Sequence, residues 1–254
     1  MKYTDNVSIS VITSANLKER YSACMNTWAK DFTDVYFFGG YINDDNLISI
    51  ESAGEDHSSH FLKQQLGFKY MYEQNPESDW YITIGCDAIL YRDRLLEMLA
   101  KYDRNRDFLI GQECGTWTDS PRIMEIEHQA SDSNKFKSLS GGGPIIISNS
   151  LMKKSYGIIE EFNENWTKIS GSCYSYSDVA LPYMMKKYFG IKATFEPNIL
   201  SQPPSHYIGA IDGDENAKWY TDYPISLEEA ISNPISFHYI KPFEMEEIYK
   251  KYKN

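Results

Sequence analysis

The sequence lacks the long apolar segment that a membrane-spanning helix requires. Nowhere in its 254 residues does a run of about twenty apolar residues occur. The first residues lead into a strand-like segment and show neither the apolar core nor the cleavage site of a secretory signal. From these absences we expect a soluble or cytoplasmic protein with no signal peptide and no membrane anchor.

Basic residues and closely spaced cysteines are also scarce. The chain has 25 basic and 36 acidic residues and a net charge of −11, so no basic surface is expected for the phosphates of nucleic acid. The four cysteines contain no C-x-x-C pair, which argues against a structural zinc site and a disulfide framework. We therefore expect reduced thiols and no nucleic-acid partner.

What the sequence does contain is a regular alternation of strand-like and helix-like segments. Strand-like segments cover residues 7–14, 35–38 and 79–91, and helix-like segments follow them at 17–32, 60–73 and 92–102. Alternation with helical connections predicts an α/β fold with a mostly parallel central sheet flanked by helices. We expect residues 1–254 to form a single domain.

The second half of the chain is less regular. Residues 150–162 have the pattern of one helix, whereas the prolines of residues 197–224 predict a surface segment without regular structure. Residues 113–138 are polar and aperiodic, which is typical of an exposed, ligand-binding loop. Three adjacent glycines, Gly141 to Gly143, would let the backbone approach a ligand closely.

Two carboxylates occupy positions where ligands are often bound. Asp87 lies near the end of the apolar segment 79–91, at the sheet edge where α/β folds bind ligands, but it could equally begin a turn. Asp178 immediately precedes a helix predicted over residues 179–188, so it could be a plain helix N-cap. Local pattern alone leaves both alternatives open.

Seven short segments form an ordered set of motifs. They are Thr27-Trp28, Phe38-Gly39, Phe61-Leu62-Lys63, Asp79-Trp80-Tyr81-Ile82, Gly141-Gly142-Gly143, Ser177-Asp178-Val179 and the run from Phe237 to Met245. In this order they resemble the motifs of the family 31 glycosyltransferases, the group that includes Fringe and the core 1 β-1,3-galactosyltransferases. Each motif alone is weak, whereas seven in one order are specific.

The resemblance implies a GT-A glycosyltransferase that moves a sugar, with inversion, from a UDP-linked nucleoside diphosphate donor to a saccharide hydroxyl. Asp178 would be the general base, and Asp87 and His238 would hold a divalent cation at the diphosphate. The donor-binding residues would be Thr13, Ser14, Arg20, Lys63, Cys86 and Asp87. The acceptor-binding residues would be Trp117, Gly142, Gly143 and Tyr176.

The sequence departs from this family in its metal motif. Where the family has three consecutive aspartates, the chain has Gly85-Cys86-Asp87, and a thiol is a poor ligand for Mg²⁺ or Mn²⁺. One carboxylate with diphosphate oxygens can suffice, and the imidazole of His238 favours Mn²⁺ over Mg²⁺. The alternative is a non-catalytic sugar- or nucleotide-binding module that has lost most of the metal motif.

Overall fold

The computed structural model describes residues 6–40, 44–114, 137–171, 175–217 and 223–253. The strands are β1 (Val7–Ile12), β2 (Asp34–Gly39), β3 (Ile48–Ser49), β4 (Trp80–Gly85), β5 (Ile89–Leu90), β6 (Leu109–Gly111), β7 (Ile145–Ser148), β8 (Thr194–Phe195) and β9 (Ser236–Phe237). Seven of them form one sheet in the order β3-β2-β1-β4-β7-β6-β8, and β5 pairs with β9 beside it.

Nine helices surround these strands in the described part of the chain. They are α1 (Lys18–Asn26), α2 (His60–Gln74), α3 (Arg92–Leu99), α4 (Asn149–Tyr156), α5 (Ile159–Ser170), α6 (Ser177–Phe189), α7 (Pro204–Ile211), α8 (Leu227–Ser232) and α9 (Pro242–Lys253). Short 3₁₀ turns, Ala15–Leu17 and Trp28–Asp31, flank α1 where one longer helix was expected. Among the described residues, no helix combines the length and the apolar character needed to cross a bilayer.

The central sheet is mostly parallel, as the alternation of segments predicts. Strand β1 pairs in parallel with both β2 and β4, and β6 pairs in parallel with β8. Strand β7 is the exception, because it runs antiparallel to both β4 and β6. Its reversed direction brings the glycines that precede it to the sheet edge where the parallel strands end.

Each face of the sheet is covered by its own hydrophobic core. On β7, Ile146 belongs to the core under α1, α3 and α9, whereas Ile145 and Ile147 point the other way, into the core under α2, α4, α5 and α6. This division follows from the two-residue period of a strand. Because helices pack on both faces of the sheet, the ends of its strands are held in fixed positions.

Helix α2 packs against β1 at a contact formed by small residues. Ser8 and Ser10 of β1 are fully buried, and a Cβ on Gly67 of α2 would lie 2.6 Å from Ser10 Oγ. Only a glycine therefore fits at this point of the helix. The close contact fixes the first turns of α2 beside the end of β1.

Two predictions about the second half of the chain are wrong. Residues 150–162 do not form one helix: α4 ends before Gly157, a poor helix former, and α5 begins two residues later. Residues 197–224 are not without regular structure, since they contain α7. Pro204 stands at the first position of α7, where proline's missing N–H is not needed. The predicted loop at 113–138 lies largely outside the described residues.

Candidate active site

A cleft of about 960 Å³ opens at the edge of the sheet where the parallel strands end. Its walls are formed by the residues that follow β1, β4 and β6, the glycines that precede β7, the first turns of α2 and α6, and the segment after β9. Binding at the carboxyl edge of strands is general in α/β folds. The structure thus brings together groups that are far apart in sequence.

Asp87 lies in the turn between β4 and β5, at the floor of this cleft. The backbone holds it from two sides: Gly85 N donates to Gly142 O at 2.9 Å, and Ile240 N donates to Asp87 O at 2.8 Å. Pairing of β5 with β9 places Ile89 opposite Phe237, so the next residue, His238, arrives beside Asp87. Asp87 therefore lies in a turn and also lines the cleft.

The side chain of Asp87 contacts one imidazole and one guanidinium. Its Oδ1 lies 3.0 Å from His238 Nε2, and its Oδ2 accepts a hydrogen bond from Arg20 Nη1 at 3.0 Å. Burial acts to raise the pKa of Asp87, but the hydrogen bond from His238 and the charges of His238 and Arg20 outweigh it. The pKa is lowered as a result, so Asp87 is a carboxylate at neutral pH.

Gly141 and Gly142 lie between the two acidic groups of the site. A Cβ on Gly141 would lie 2.9 Å from Asp178 Oδ2, and a Cβ on Gly142 would lie 1.9 Å from His238 Cε1. Gly142 also has a φ of +80°, which side chains with a Cβ rarely adopt. The absence of side chains here lets Asp178 and His238 approach the same short stretch of backbone from different directions.

Asp178 is the second residue of α6 and lines the cleft, and the residue is 8% exposed. The N-cap of α6 is Tyr176, so the interpretation of Asp178 as an N-cap is wrong. Burial raises the pKa of Asp178 to about 6, although backbone N–H groups, including that of Val179 at 3.1 Å, partly oppose this. A carboxylate with such a pKa can accept a proton near neutral pH.

Lys63 places a buried positive charge beside the end of β1. It is 1% exposed, and its Nζ donates to Thr13 O at 2.9 Å and to Ser14 Oγ at 3.5 Å. Burial lowers the pKa of Lys63. Within the described ranges no ion pair neutralises this ammonium group, although Glu55 and Asp56 act on it at longer range. A buried cation of this kind favours an anionic ligand.

Cys86 lines the same end of the cleft but differs chemically from a metal-binding carboxylate. It is 4% exposed, and burial raises the pKa of its thiol to about 11. The backbone carbonyl of Cys86 accepts a hydrogen bond from Cys24 Sγ at 3.1 Å. Cys86 is therefore a neutral, packed thiol whose backbone helps to shape the turn at Asp87.

The predicted acceptor-binding residues are only partly brought together. Gly142 and Tyr176 line the cleft. Gly143 is not among the residues that line it, and a Cβ there would lie 2.8 Å from Ser201 Oγ. Trp117 lies outside the described residues.

Several cleft residues carry no signal in the sequence pattern. His60 Nδ1 lies 2.7 Å from Ser177 Oγ, next to Asp178, and burial together with the charge of His57 lowers the pKa of His60 to about 4. His60 is thus a neutral imidazole that binds the first turn of α6. The other lining residues without a role assigned from the sequence include Glu55, Asp56, Gln112 and Tyr239. Their spacing in the sequence does not indicate that they share a site, and only the folded structure shows it.

Asp87 and His238 fit a divalent cation as a ligand pair. Among the described residues, no group of three His, Cys, Asp or Glu side chains could hold a metal ion by itself. Asp87 Oδ1 and His238 Nε2 lie 3.0 Å apart. Two adjacent ligand atoms of an octahedral ion, each at about 2.1 Å from the metal, are separated by about the same distance. Diphosphate oxygens and water would complete such a coordination sphere.

Three solved structures with a similar architecture are glycosyltransferases. The galactosyltransferase LgtC, solved with donor and acceptor sugar analogues, superposes with a TM-score of 0.58 at 12% identity over 96% of this chain and 95% of its own. The glycosyltransferase GlyE of Streptococcus pneumoniae gives 0.55 at 12% identity over 98% of this chain. The bifunctional glycosyltransferase WbbM gives 0.58 at 12% identity over 99% of this chain. The chain spans 60% of GlyE and 50% of WbbM.

The fold is the GT-A fold, with a seven-stranded sheet and a cleft at its carboxyl edge. By sequence, no curated protein matches the chain significantly. The model of the Fringe-like family, however, matches residues 2–220, so the chain belongs to that family. Because this family and the structural neighbours are glycosyltransferases, the chain is assigned to the same class of enzyme. The match ends before His238, whose place in the site rests on the geometry described above.

Proposed function

We propose that the enzyme transfers a sugar, with inversion, from a UDP-linked donor to a saccharide hydroxyl, with Asp178 as the general base. The observation that carries this proposal is the arrangement of two unlike carboxylates about Gly141 and Gly142. Asp178, on one side, has a raised pKa of about 6, and Asp87, on the other, has a lowered pKa and contacts His238 and Arg20. Two carboxylates with separated pKa values suit separate roles.

The reaction would proceed in one displacement at the anomeric carbon. The carboxylate of Asp178 accepts the proton of the acceptor hydroxyl while its oxygen forms a bond to that carbon. The bond between the same carbon and the diphosphate oxygen breaks, and UDP leaves with both electrons. One displacement inverts the configuration, and a positioned base of this kind contributes roughly 10²- to 10⁴-fold to the rate.

The donor diphosphate would lie at the end of the cleft near β1 and β4. The buried ammonium of Lys63 and the guanidinium of Arg20 supply positive charge there, and Thr13 and Ser14 line the adjoining wall where the nucleotide base would bind. Cys86 would contribute packing at this end. Asp87 and His238 would hold Mn²⁺ in preference to Mg²⁺, because an imidazole nitrogen suits Mn²⁺ better.

That cation, when bound, would stabilise the negative charge that develops on the departing diphosphate. The acceptor would lie on the opposite side, near Asp178, where Gly142 and Tyr176 line the cleft. Trp117 and Gly143 remain predictions for acceptor binding.

Replacement of the proposed base tests this assignment. Asp178→Asn keeps the size and shape of the side chain but cannot accept the proton, so transfer should fall by about 10²-fold or more. The wild type is first assayed with a panel of nucleoside diphosphate sugars and saccharide acceptors in MnCl₂, by release of the nucleotide. The assigned donor is then used for both proteins, and UDP affinity is compared by calorimetry.

Three results would contradict the proposal. Asp178→Asn with turnover like the wild type would remove Asp178 as the base. A product that keeps the anomeric configuration of the donor, determined by NMR, would exclude inversion. A wild type that binds UDP-sugar but never releases UDP would be a binding module. Asp103→Asn, a change at an exposed residue that does not line the cleft, serves as the matched control.

A further inference from the structure

Tyr239 has a strained backbone at the mouth of the cleft. Among the described residues it is the one residue other than glycine with a positive φ, 59°. This left-handed conformation costs a residue with a Cβ about 1–2 kcal/mol, and such strain tends to persist where function requires it. Glycine or asparagine would adopt the same conformation at lower cost.

The side chain of Tyr239 contributes little to the core. It is 58% exposed, although it lines the cleft. One face of its ring stacks on the imidazole of His238, with centroids 3.8 Å apart and an interplanar angle of 29°. Within the described part of the chain its hydroxyl group makes no hydrogen bond. The exposed part of the ring is therefore directed toward the cleft and away from the protein interior.

Tyr239 also lies near both carboxylates of the cleft. It follows His238, which contacts Asp87, and it precedes Ile240, whose N–H donates to Asp87 O. Its pKa is raised, by burial first and then by the negative charges of Asp87 and Asp178. Both carboxylates thus act on one phenol, which lies where the donor and acceptor sugars would meet.

We infer that Tyr239 is a stacking platform for a pyranose ring at the reaction centre. This inference rests on the proposed function and adds a residue to it. The axial C–H groups of a pyranose carry slight positive charge and pack well against the electron-rich face of an aromatic ring. The nucleotide base is assigned to a different wall of the cleft, formed by Thr13 and Ser14 after β1.

Variants of Tyr239 separate stacking from backbone conformation. Tyr239→Phe keeps the ring, whereas Tyr239→Asn removes it and retains a residue that tolerates a positive φ. Phe243→Ala, which removes an aromatic residue that is 78% exposed and does not line the cleft, is the matched control. For each protein, calorimetry compares UDP with UDP-glucose and UDP-galactose, and kinetics give the acceptor KM for lactose and cellobiose.

The two arms distinguish the source of the pyranose. If the donor sugar stacks, Tyr239→Asn weakens UDP-sugar binding about tenfold while UDP binding is unchanged; if the acceptor stacks, its KM rises by about the same factor. Phe243→Ala should behave like the wild type, and Tyr239→Phe, which keeps the ring, should restore the sugar binding that Tyr239→Asn loses. Thermal unfolding should show Tyr239→Asn folded and no less stable.

Unchanged sugar affinity and unchanged acceptor KM in Tyr239→Asn overturn the inference while leaving the proposed function intact. The inference is also overturned if the wild type binds UDP-glucose and UDP-galactose no more tightly than UDP and binds no acceptor. Failure of the proposed function would appear separately, as the absence of sugar transfer by the wild type with every donor and acceptor.

Discussion

Asp178 differs from Asp87 in the pH range over which it changes charge. Burial raises its pKa to about 6, whereas the pKa of Asp87 is lowered and that of His60 is lowered to about 4. Below its pKa, Asp178 is protonated and cannot accept the proton of the acceptor. We predict that kcat/KM rises about tenfold per pH unit below pH 6 and reaches a plateau above about pH 7.

The profile is measured from pH 4.5 to 8.5 with the donor below its KM and with the protein shown to stay folded by circular dichroism. A rate that does not change between pH 5 and pH 8 would contradict the assignment of Asp178 as the base. A limb near pH 4 would point to an exposed carboxylate of ordinary pKa instead.

The sequence points to several residues that line the cleft but not to their partners. Asp87 could be found because an apolar strand-like segment ends at it, and the motif resemblance added Asp178 and His238. The contact of Asp87 with Arg20 joins residues 67 positions apart, and that with His238 spans 151 positions. His60 begins a predicted helix and Tyr239 lies in the motif run from Phe237 to Met245, but neither position indicates a place in the cleft, which only the folded chain reveals.

At the scale of elements, the glycine segment before β7 sets the distance between the two halves of the site. A side chain at Gly142 would collide with His238 and would also require a φ of +80°. We predict that Gly142→Ala displaces His238 and lowers the rate of transfer by at least about tenfold. The rate should also respond less to added MnCl₂ than that of the wild type. The measurements are initial rates over a series of MnCl₂ concentrations and thermal unfolding.

Gly213→Ala provides the control for backbone strain. Gly213 has a φ of +89°, but a Cβ there would meet nothing within 4 Å. The two variants should therefore share a loss of stability of about 1–2 kcal/mol from the positive φ. Only Gly142→Ala should lose activity, and equal activity in both variants would show that His238 has room to move.

Helices and strands whose apolar residues follow a clear period could be predicted from the sequence, whereas short elements without such a period could not. The strands β1 and β4 and the helices α2 and α3 follow from alternating or helical spacing of apolar residues. The pair β5 and β9 has two residues in each strand, too few to show a period, yet it carries His238 to Asp87. The position of α7 was missed because prolines were taken as breakers, although one begins the helix.

On the scale of the whole molecule, the charge of the cleft differs from that of the rest of the protein. The chain carries a net charge of −11, yet Lys63 and Arg20 converge on the end of the cleft that contains Asp87. An anionic nucleotide is therefore favoured locally against the charge of the molecule as a whole. A divalent cation would reduce the repulsion between the diphosphate and Asp87.

Binding of a nucleotide with its cation should stabilise the entire fold, because the cleft joins the ends of several strands with α2, α6 and the segment after β9. At a hundredfold excess over Kd, UDP with MnCl₂ adds about 2.7 kcal/mol, which for a chain of this size raises Tm by about 5 to 11 °C. Asp87→Ala removes one of the two proposed ligands, so it should lose most of the Mn²⁺-dependent part of this shift while keeping the part due to UDP alone. EDTA should have the same effect on the wild type. Scanning calorimetry with UDP, with and without MnCl₂, measures both parts, and equal shifts in Asp87→Ala and the wild type would remove Asp87 from the proposed metal site.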